Sequence, residues 1–138
     1  RKLAAKYAQM AREEVRFETY RCDPPPELLF VAYGTTARVV RTAVDRLREE
    51  GANVGMFRPI SVFPFPDDPL RRLAHQEAVR SVLVVEMSMG QMLEDVDRTL
   101  QGRRPLHFYG RGGGNVPAPE ELIVEARRLL GGGHGANR

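Results

Sequence analysis

Short unbroken apolar runs alternate along this chain with longer stretches in which apolar residues recur every three to four positions, and glycine or proline separates one from the next. That alternation predicts strands exchanging with amphipathic helices. Residues 28–33 (LLFVAY) form the first such run, as a parallel strand requires when both of its faces are covered, and Gly34 ends it. Ala37, Val40, Val44 and Leu47 then share one stripe of a helix that stops at Gly51. Residues 53–57 predict a second strand, and residues 58–66 (RPISVFPFP) an extended proline-rich loop. Asp68 is placed to cap a short helix with Pro69 in its first turn and Leu70 and Leu73 on its buried side. Residues 81–86 (SVLVVE) predict another buried strand, followed by a helix with Met89, Leu93, Val96 and Leu100 facing inward. Residues 105–110 (PLHFYG) supply the last strand. Beyond the glycine-rich crossing at 111–119, a final amphipathic helix begins near Pro119.

Upstream of this array, Leu3, Tyr7, Met10 and Phe17 recur at helical spacing, which predicts a helix from residue 1 to about 16. Residues 17–22 alternate as a short strand. Asp23 with Pro24, Pro25 and Pro26 makes a stiff connector, because proline fixes the backbone and removes donors. The expected organisation is therefore an N-terminal helix, edge strand and connector over 1–26, an α/β domain over 27–130, and a flexible tail over 131–138. Sequential strand–helix units argue for a three-layer α/β/α open sheet with right-handed crossovers.

Composition narrows the function classes. At 138 residues and 42% hydrophobic, the chain can build one core. No apolar run approaches the roughly 20 residues of a membrane span, and the first ten residues lack the apolar centre of a signal peptide, so a cytoplasmic protein with no membrane partner is expected. A pI near 9.4 suits nucleic acid. The formal net charge is only +3, however, and the basic residues are interleaved with acids, so no nucleic-acid partner is expected. The single cysteine, Cys22, excludes an intrachain disulfide and is too few for an iron–sulfur cluster. His75, His107 and His134 lack metal-ligand spacing, so no metal site is expected. The chain opens on Arg1 rather than methionine, as a piece of a longer polypeptide or a trimmed start would.

In an open α/β sheet the functional crevice lies outside the carboxyl ends of the strands, where strand order reverses. Gly34, Thr35 and Thr36 follow one predicted strand. Thr35 or Thr36 can cap the next helix, or the helix start can receive an anion. No dinucleotide or phosphate-loop motif accompanies them. Glu86 ends another strand, where it serves either as an acid–base group or as a cap for backbone donors. Gly90 permits close backbone approach and Gln91 can bridge two chains through its amide. Arg58, before Pro59, is either an anion clamp or part of a surface ion pair. Arg111 to Gly114 reads as a phosphate cradle or an interface loop. Met87, Met89 and Met92 form either an adaptable contact patch or core filling.

Taken in order, VAYGTTARVVRTAVDRLREEG, GMFRPISVFPFP, VVEMSMGQMLEDV and FYGRGGGNVPAPEEL resemble the second domain of the α-type subunit of 2-oxoacid:ferredoxin oxidoreductases, over nearly all of residues 17–130. The look is that of the subunits acting on 2-oxoglutarate or branched-chain 2-oxoacids. The same domain type is similar to the transketolase C-terminal domain, which implies about five strands, mostly parallel, with residues 17–22 as an antiparallel edge. The resemblance further implies a parent complex that uses thiamine diphosphate, Mg, an iron–sulfur cluster and CoA to convert 2-oxoacids to acyl-CoA and pass electrons to ferredoxin. Its partners would be other domains of the α chain, a thiamine-binding β subunit, and γ and δ subunits. No cofactor would be bound by this stretch itself, and no residue in it would be catalytic. Gly34, Thr35, Thr36, Arg58, Pro59, Pro64, Glu86, Gly90, Gln91, Arg111 and Gly113 are the candidates for an assembly or ligand-proximal surface, with Pro64 fixing loop shape. A direct CoA or substrate contact by Arg58 or Arg111 is a further expectation. The contrasting reading is a stand-alone small-ligand or nucleotide-binding α/β module using the same strand-end crevice.

Overall fold

The computed structural model describes residues 15–61, 64–87, 91–110 and 116–135. The strands are β1 Phe17–Tyr20, β2 Leu28–Val31, β3 Val54–Pro59, β4 Ser81–Glu86 and β5 Leu106–Gly110. The helices are α1 Gly34–Glu49, α2 Asp67–Ala74, α3 Gln91–Leu100 and α4 Pro119–Gly135. They build one mixed sheet of order β1-β3-β2-β4-β5. β1 runs antiparallel to β3 and every other neighbouring pair is parallel.

The period-two alternation of the buried strands divides the core between the two faces. Leu28 and Phe30 of β2 join Val54, Met56, Leu83 and Val85 beneath α1 and α4. Leu29 and Val31 join Phe57, Val82 and Val84 beneath α2 and α3. Burying each of the largest side chains, Phe30 and Phe57, contributes roughly 1.5–3 kcal/mol. Gly51 closes α1 as its spacing predicts: it takes φ 90°, and the N–H groups of Gly51 and Ala52 return to the carbonyls of Arg48 and Leu47.

Several boundaries differ from the sequence expectation, each because a distant segment supplies a partner. β3 continues through Arg58 and Pro59, which the proline pattern assigns to a loop, because β1 pairs Glu18 with Arg58 and Phe17 with Pro59. β1 itself stops at Tyr20, where Arg21 takes φ 60° and turns the chain away. The predicted helix over 1–16 lies outside the described residues except at its end. There Arg16 is not helical, and its carbonyl accepts from the N–H groups of Ile60 and Ser61 at 2.9 and 3.1 Å.

Neither predicted side-chain cap forms. Tyr33 occupies the cap position of α1 without a side-chain bond, so Thr35 and Thr36 lie inside the first turn. α2 begins at Asp67, with Pro66 before it and Asp68 inside the helix. Asp68 accepts from Arg71 at 2.7 Å, and Asp67 accepts from the Thr99 hydroxyl at 2.6 Å, tying α2 to α3. Both carboxylates still sit where the helix dipole favours negative charge. In α3, Met92 rather than Leu93 is fully within the core, and Met89 lies outside the described residues. α4 runs on to Gly135 instead of ending at Leu130, so the tail expected over 131–138 is helical through 135 and otherwise outside the described residues. Extending an established helix needs only one residue ordered per added bond, which lets a glycine run continue it despite low propensity.

Candidate functional site at the carboxyl ends of the strands

The chain moves from β2 outward to β3, then crosses back to β4 on the opposite side of β2. The reversal of strand order therefore falls between β2 and β4. Gly34 and Glu86 stand after and at the carboxyl ends of those two strands, as the sequence places them. Gly34 takes φ 63° at the turn into α1, and a Cβ built there would meet nothing within 4 Å. The cost of an L-residue is thus one of backbone conformation alone. Gly34→Ala is expected to lower stability by about 1–2 kcal/mol without disturbing packing, measurable as a shifted urea midpoint at unchanged slope. Thr35 is exposed beside it, whereas Thr36 is 4% exposed and belongs to the interior.

Glu86 is 1% exposed. The strand alternation that sends Val82 and Val84 toward α2 and α3 sends Glu86 the same way. Its two carboxylate oxygens accept the Leu93 N–H at 2.9 Å and the Met92 N–H at 3.4 Å. These are among the first donors of α3, which have no partner within the helix. Of the two roles open to this carboxylate from sequence, the geometry supplies the capping one: a negative charge fixed on the positive end of the helix dipole. Gln91 opens α3, and its backbone alone is described; Gly90, Arg111 and Gly113 lie outside the described residues.

Arg58 and Pro59 end β3, one strand across from β2. Arg58 donates to Glu18 of β1 at 2.8 Å, the ion-pair alternative weighed for it. Pro64 accepts from the Ser61 hydroxyl at 3.0 Å, which holds the loop after β3. The fold thus sets Gly34, Thr35, Arg58, Pro59 and Glu86 along one edge of the sheet. Residues that sequence reasoning missed accompany them. Arg38 and Arg41 of α1 join Arg58, Glu18 and Tyr20 around an open groove of about 590 Å³. Their signal was an arginine pair at i and i+3, the spacing that places two side chains on one helix face.

The residues present do not fit the iron–sulfur cluster that the resemblance attaches to a parent complex. An iron–sulfur cluster needs several thiolates, and the chain has one cysteine. Among the described residues no three histidine, cysteine or carboxylate side chains gather as metal ligands. Also among them, no helix is long and apolar enough to cross a membrane.

Residues 26–122 match the family model of the pyruvate:ferredoxin oxidoreductase core domain II. The ketoisovalerate oxidoreductase subunit VorB of Methanothermobacter thermautotrophicus is 43% identical over 129 residues, covering 94% of this chain and 36% of that relative. The 2-oxoglutarate synthase subunit KorA of Methanocaldococcus jannaschii is 36% identical over 131 residues, covering 95% of this chain and 33% of that relative. The chain thus spans about a third of the length of these curated relatives. A 2-oxoglutarate:ferredoxin oxidoreductase from Magnetococcus marinus, solved with 2-oxoglutarate, coenzyme A and succinyl-CoA bound, aligns with TM-score 0.70 and 23% identity over 82% of this chain and 19% of that one. A split-gene transketolase, an inactive beta4 tetramer, aligns with TM-score 0.65 and 16% identity over 83% of this chain and 41% of that one. At such identities these two likenesses establish the fold, which is the transketolase C-terminal-like sheet with its antiparallel edge. On the family match over residues 26–122 and the 43% and 36% identities, the chain belongs to the pyruvate:ferredoxin oxidoreductase core domain II family, as a domain of a 2-oxoacid:ferredoxin oxidoreductase subunit.

Proposed function

We propose that this domain is a non-catalytic assembly element of a thiamine-diphosphate-dependent 2-oxoacid:ferredoxin oxidoreductase, which converts a 2-oxoacid, CoA and oxidised ferredoxin into an acyl-CoA, carbon dioxide and reduced ferredoxin in the cytoplasm. The observation that supports it is the state of Glu86. This strand-end carboxylate, the one acid among the candidate residues, is buried and engaged by the backbone of α3. A group so held orients a helix. Family membership also favours this reading over a stand-alone ligand-binding module.

The surfaces available for assembly are the two edges of the sheet. Phe17 on β1 is 41% exposed and Phe108 on β5 is 40% exposed. Strand edges that have no pairing strand among the described residues and carry exposed aromatics are suited to contact with neighbouring domains. The partners in this reading are the remaining domains of the α-type chain, the thiamine-binding β subunit, and γ and δ subunits, with ferredoxin reached through the complex. Gly34, Thr35, Arg58 and Pro59 belong to the surface that shapes the approach to an active site formed elsewhere.

The test is a Phe108→Gln substitution in the full-length subunit co-expressed with its partners. Reduced recovery of the complex on size exclusion, with unchanged turnover per assembled complex, is expected. Full assembly with turnover lost at least about tenfold, a barrier change of about 1.4 kcal/mol, would contradict a non-catalytic role. Unchanged assembly and unchanged turnover would remove β5 from the interface.

A further inference from the structure

We propose that the groove between α1 and the β1–β3 edge binds the phosphate group of a small phosphorylated metabolite. This reading goes beyond the assembly role and does not depend on it, with Arg58 common to both surfaces. The groove, about 590 Å³, is of the size that small-molecule sites occupy. Three guanidinium groups line it, from Arg38, Arg41 and Arg58, against one carboxylate, Glu18, so the lining carries a formal charge of 3 − 1 = +2. The excess sits on one open concave surface, where the like charges add to a positive local potential.

Arg38 and Arg41 differ from the arginines of the domain that are held in ion pairs. Arg46, Arg71, Arg98, Arg127 and Arg128 each pair with a carboxylate. Among the described residues Arg38 and Arg41 have no such partner, although both are on the same helix as Arg46. The nearest acid on that helix, Asp45, is engaged by the Tyr20 hydroxyl at 2.5 Å. Arg41 instead lies over the Tyr20 ring, its guanidinium carbon 4.4 Å from the centroid. That stacking orients the guanidinium and leaves its N–H fork free for an acceptor. Arg58 gives one nitrogen to Glu18 at 2.8 Å, while its Nε is buried without an acceptor among the described residues.

The chemistry points to phosphate rather than carboxylate. Guanidinium donors reach the groove from two elements, helix α1 and strand β3. A planar carboxylate offers two oxygens in one plane, which one fork satisfies. A tetrahedral phosphate offers three oxygens in different directions and close to two negative charges, matching both the divided donors and the +2 lining.

The experiment is calorimetric titration of inorganic pyrophosphate into the full-length protein assembled with its partner subunits, with thiamine diphosphate at saturation. Saturable binding is expected below about 1 mM, and the double variant Arg38→Gln/Arg41→Gln is expected to weaken it at least about tenfold. Arg46→Gln, on the same helix but outside the groove, should bind as the parent does. Arg38→Lys/Arg41→Lys keeps the charge, loses the fork, and should fall between, which also covers the case in which the glutamine pair disturbs folding. No saturable binding up to about 10 mM, or equal binding by the glutamine double variant, would overturn the site. Citrate binding more tightly than pyrophosphate, and lost in the same variant, would overturn the phosphate assignment.

Discussion

Glu86→Ala is expected to destabilise the domain by about 2–4 kcal/mol, since a hydrogen bond to a charged group contributes about 1.5–3 kcal/mol and its loss strands a buried donor. The carboxylate accepts from Leu93 at 2.9 Å and from Met92 at 3.4 Å at the start of α3, and Met92 is itself part of the core. Removing it leaves donors facing an apolar interior and withdraws the negative charge from the helix dipole. Amide exchange of Met92 and Leu93 should accelerate before that of the helix centre, because the loss is local to the first turn. Glu86→Gln retains one acceptor oxygen and should recover about half of the lost stability. A Glu86→Ala protein within about 0.5 kcal/mol of the parent in chemical denaturation would show that the cap contributes nothing.

Gly55→Ala is the second large effect, at about 3 kcal/mol, the upper part of the range for overpacking a fitted interior. A Cβ there would come within 2.5 Å of the Arg21 carbonyl oxygen and 3.0 Å of both the Tyr20 carbonyl oxygen and Cys22 Sγ. Two of those contacts are backbone, which cannot rotate aside. The end of β1 must lift from β3, along which only four residues pair. Cys22 reports the movement. Its thiol donates to the carbonyls of Tyr20 and Met56, and burial pushes its pKa above the ordinary value of 9.0 against the opposing pull of those bonds and of Arg48. The thiol therefore stays protonated and slow to react near neutral pH. In Gly55→Ala, alkylation of Cys22 at pH 8 should be several times faster. Parent-like labelling together with a parent-like denaturation midpoint would mean that the strand accommodates the methyl group.

Strand interiors were the most legible part of this chain. β4 falls where its apolar run predicts it and β2 lies within its run, because a strand buried on both faces excludes polar residues; β5 also falls where predicted, although as an edge strand it is only partly buried. Helix ends were less legible. Threonine and aspartate near a predicted start read as caps, yet Tyr33 and Pro66 occupy those positions; Asp68 lies inside α2 and accepts from Arg71, while its neighbour Asp67 is drawn to Thr99, 32 residues away. Local propensity ranks the candidates for a cap; a contact from another helix decides which side chain is free to serve.

The candidate site divides in the same way. Gly34 and Glu86 were found because they lie at the ends of recognisable strands, and topology puts both at the reversal of strand order. Whether Glu86 faces solvent or a helix could not be read from residues 81–86, since either use suits a carboxylate after an apolar strand. The groove was hidden for a different reason: Arg38 and Arg41 become neighbours of Arg58 only when β1 and β3 pair beside α1. By itself the sequence determined the α/β class, the alternation of elements and, through four ordered motifs, the family. Those follow from periodicity and from residues adjacent in the chain. Strand order, the extension of β3 through Pro59, the role of Glu86 and the gathering of three arginines were decided by tertiary structure, because each depends on a partner contributed from elsewhere in the chain.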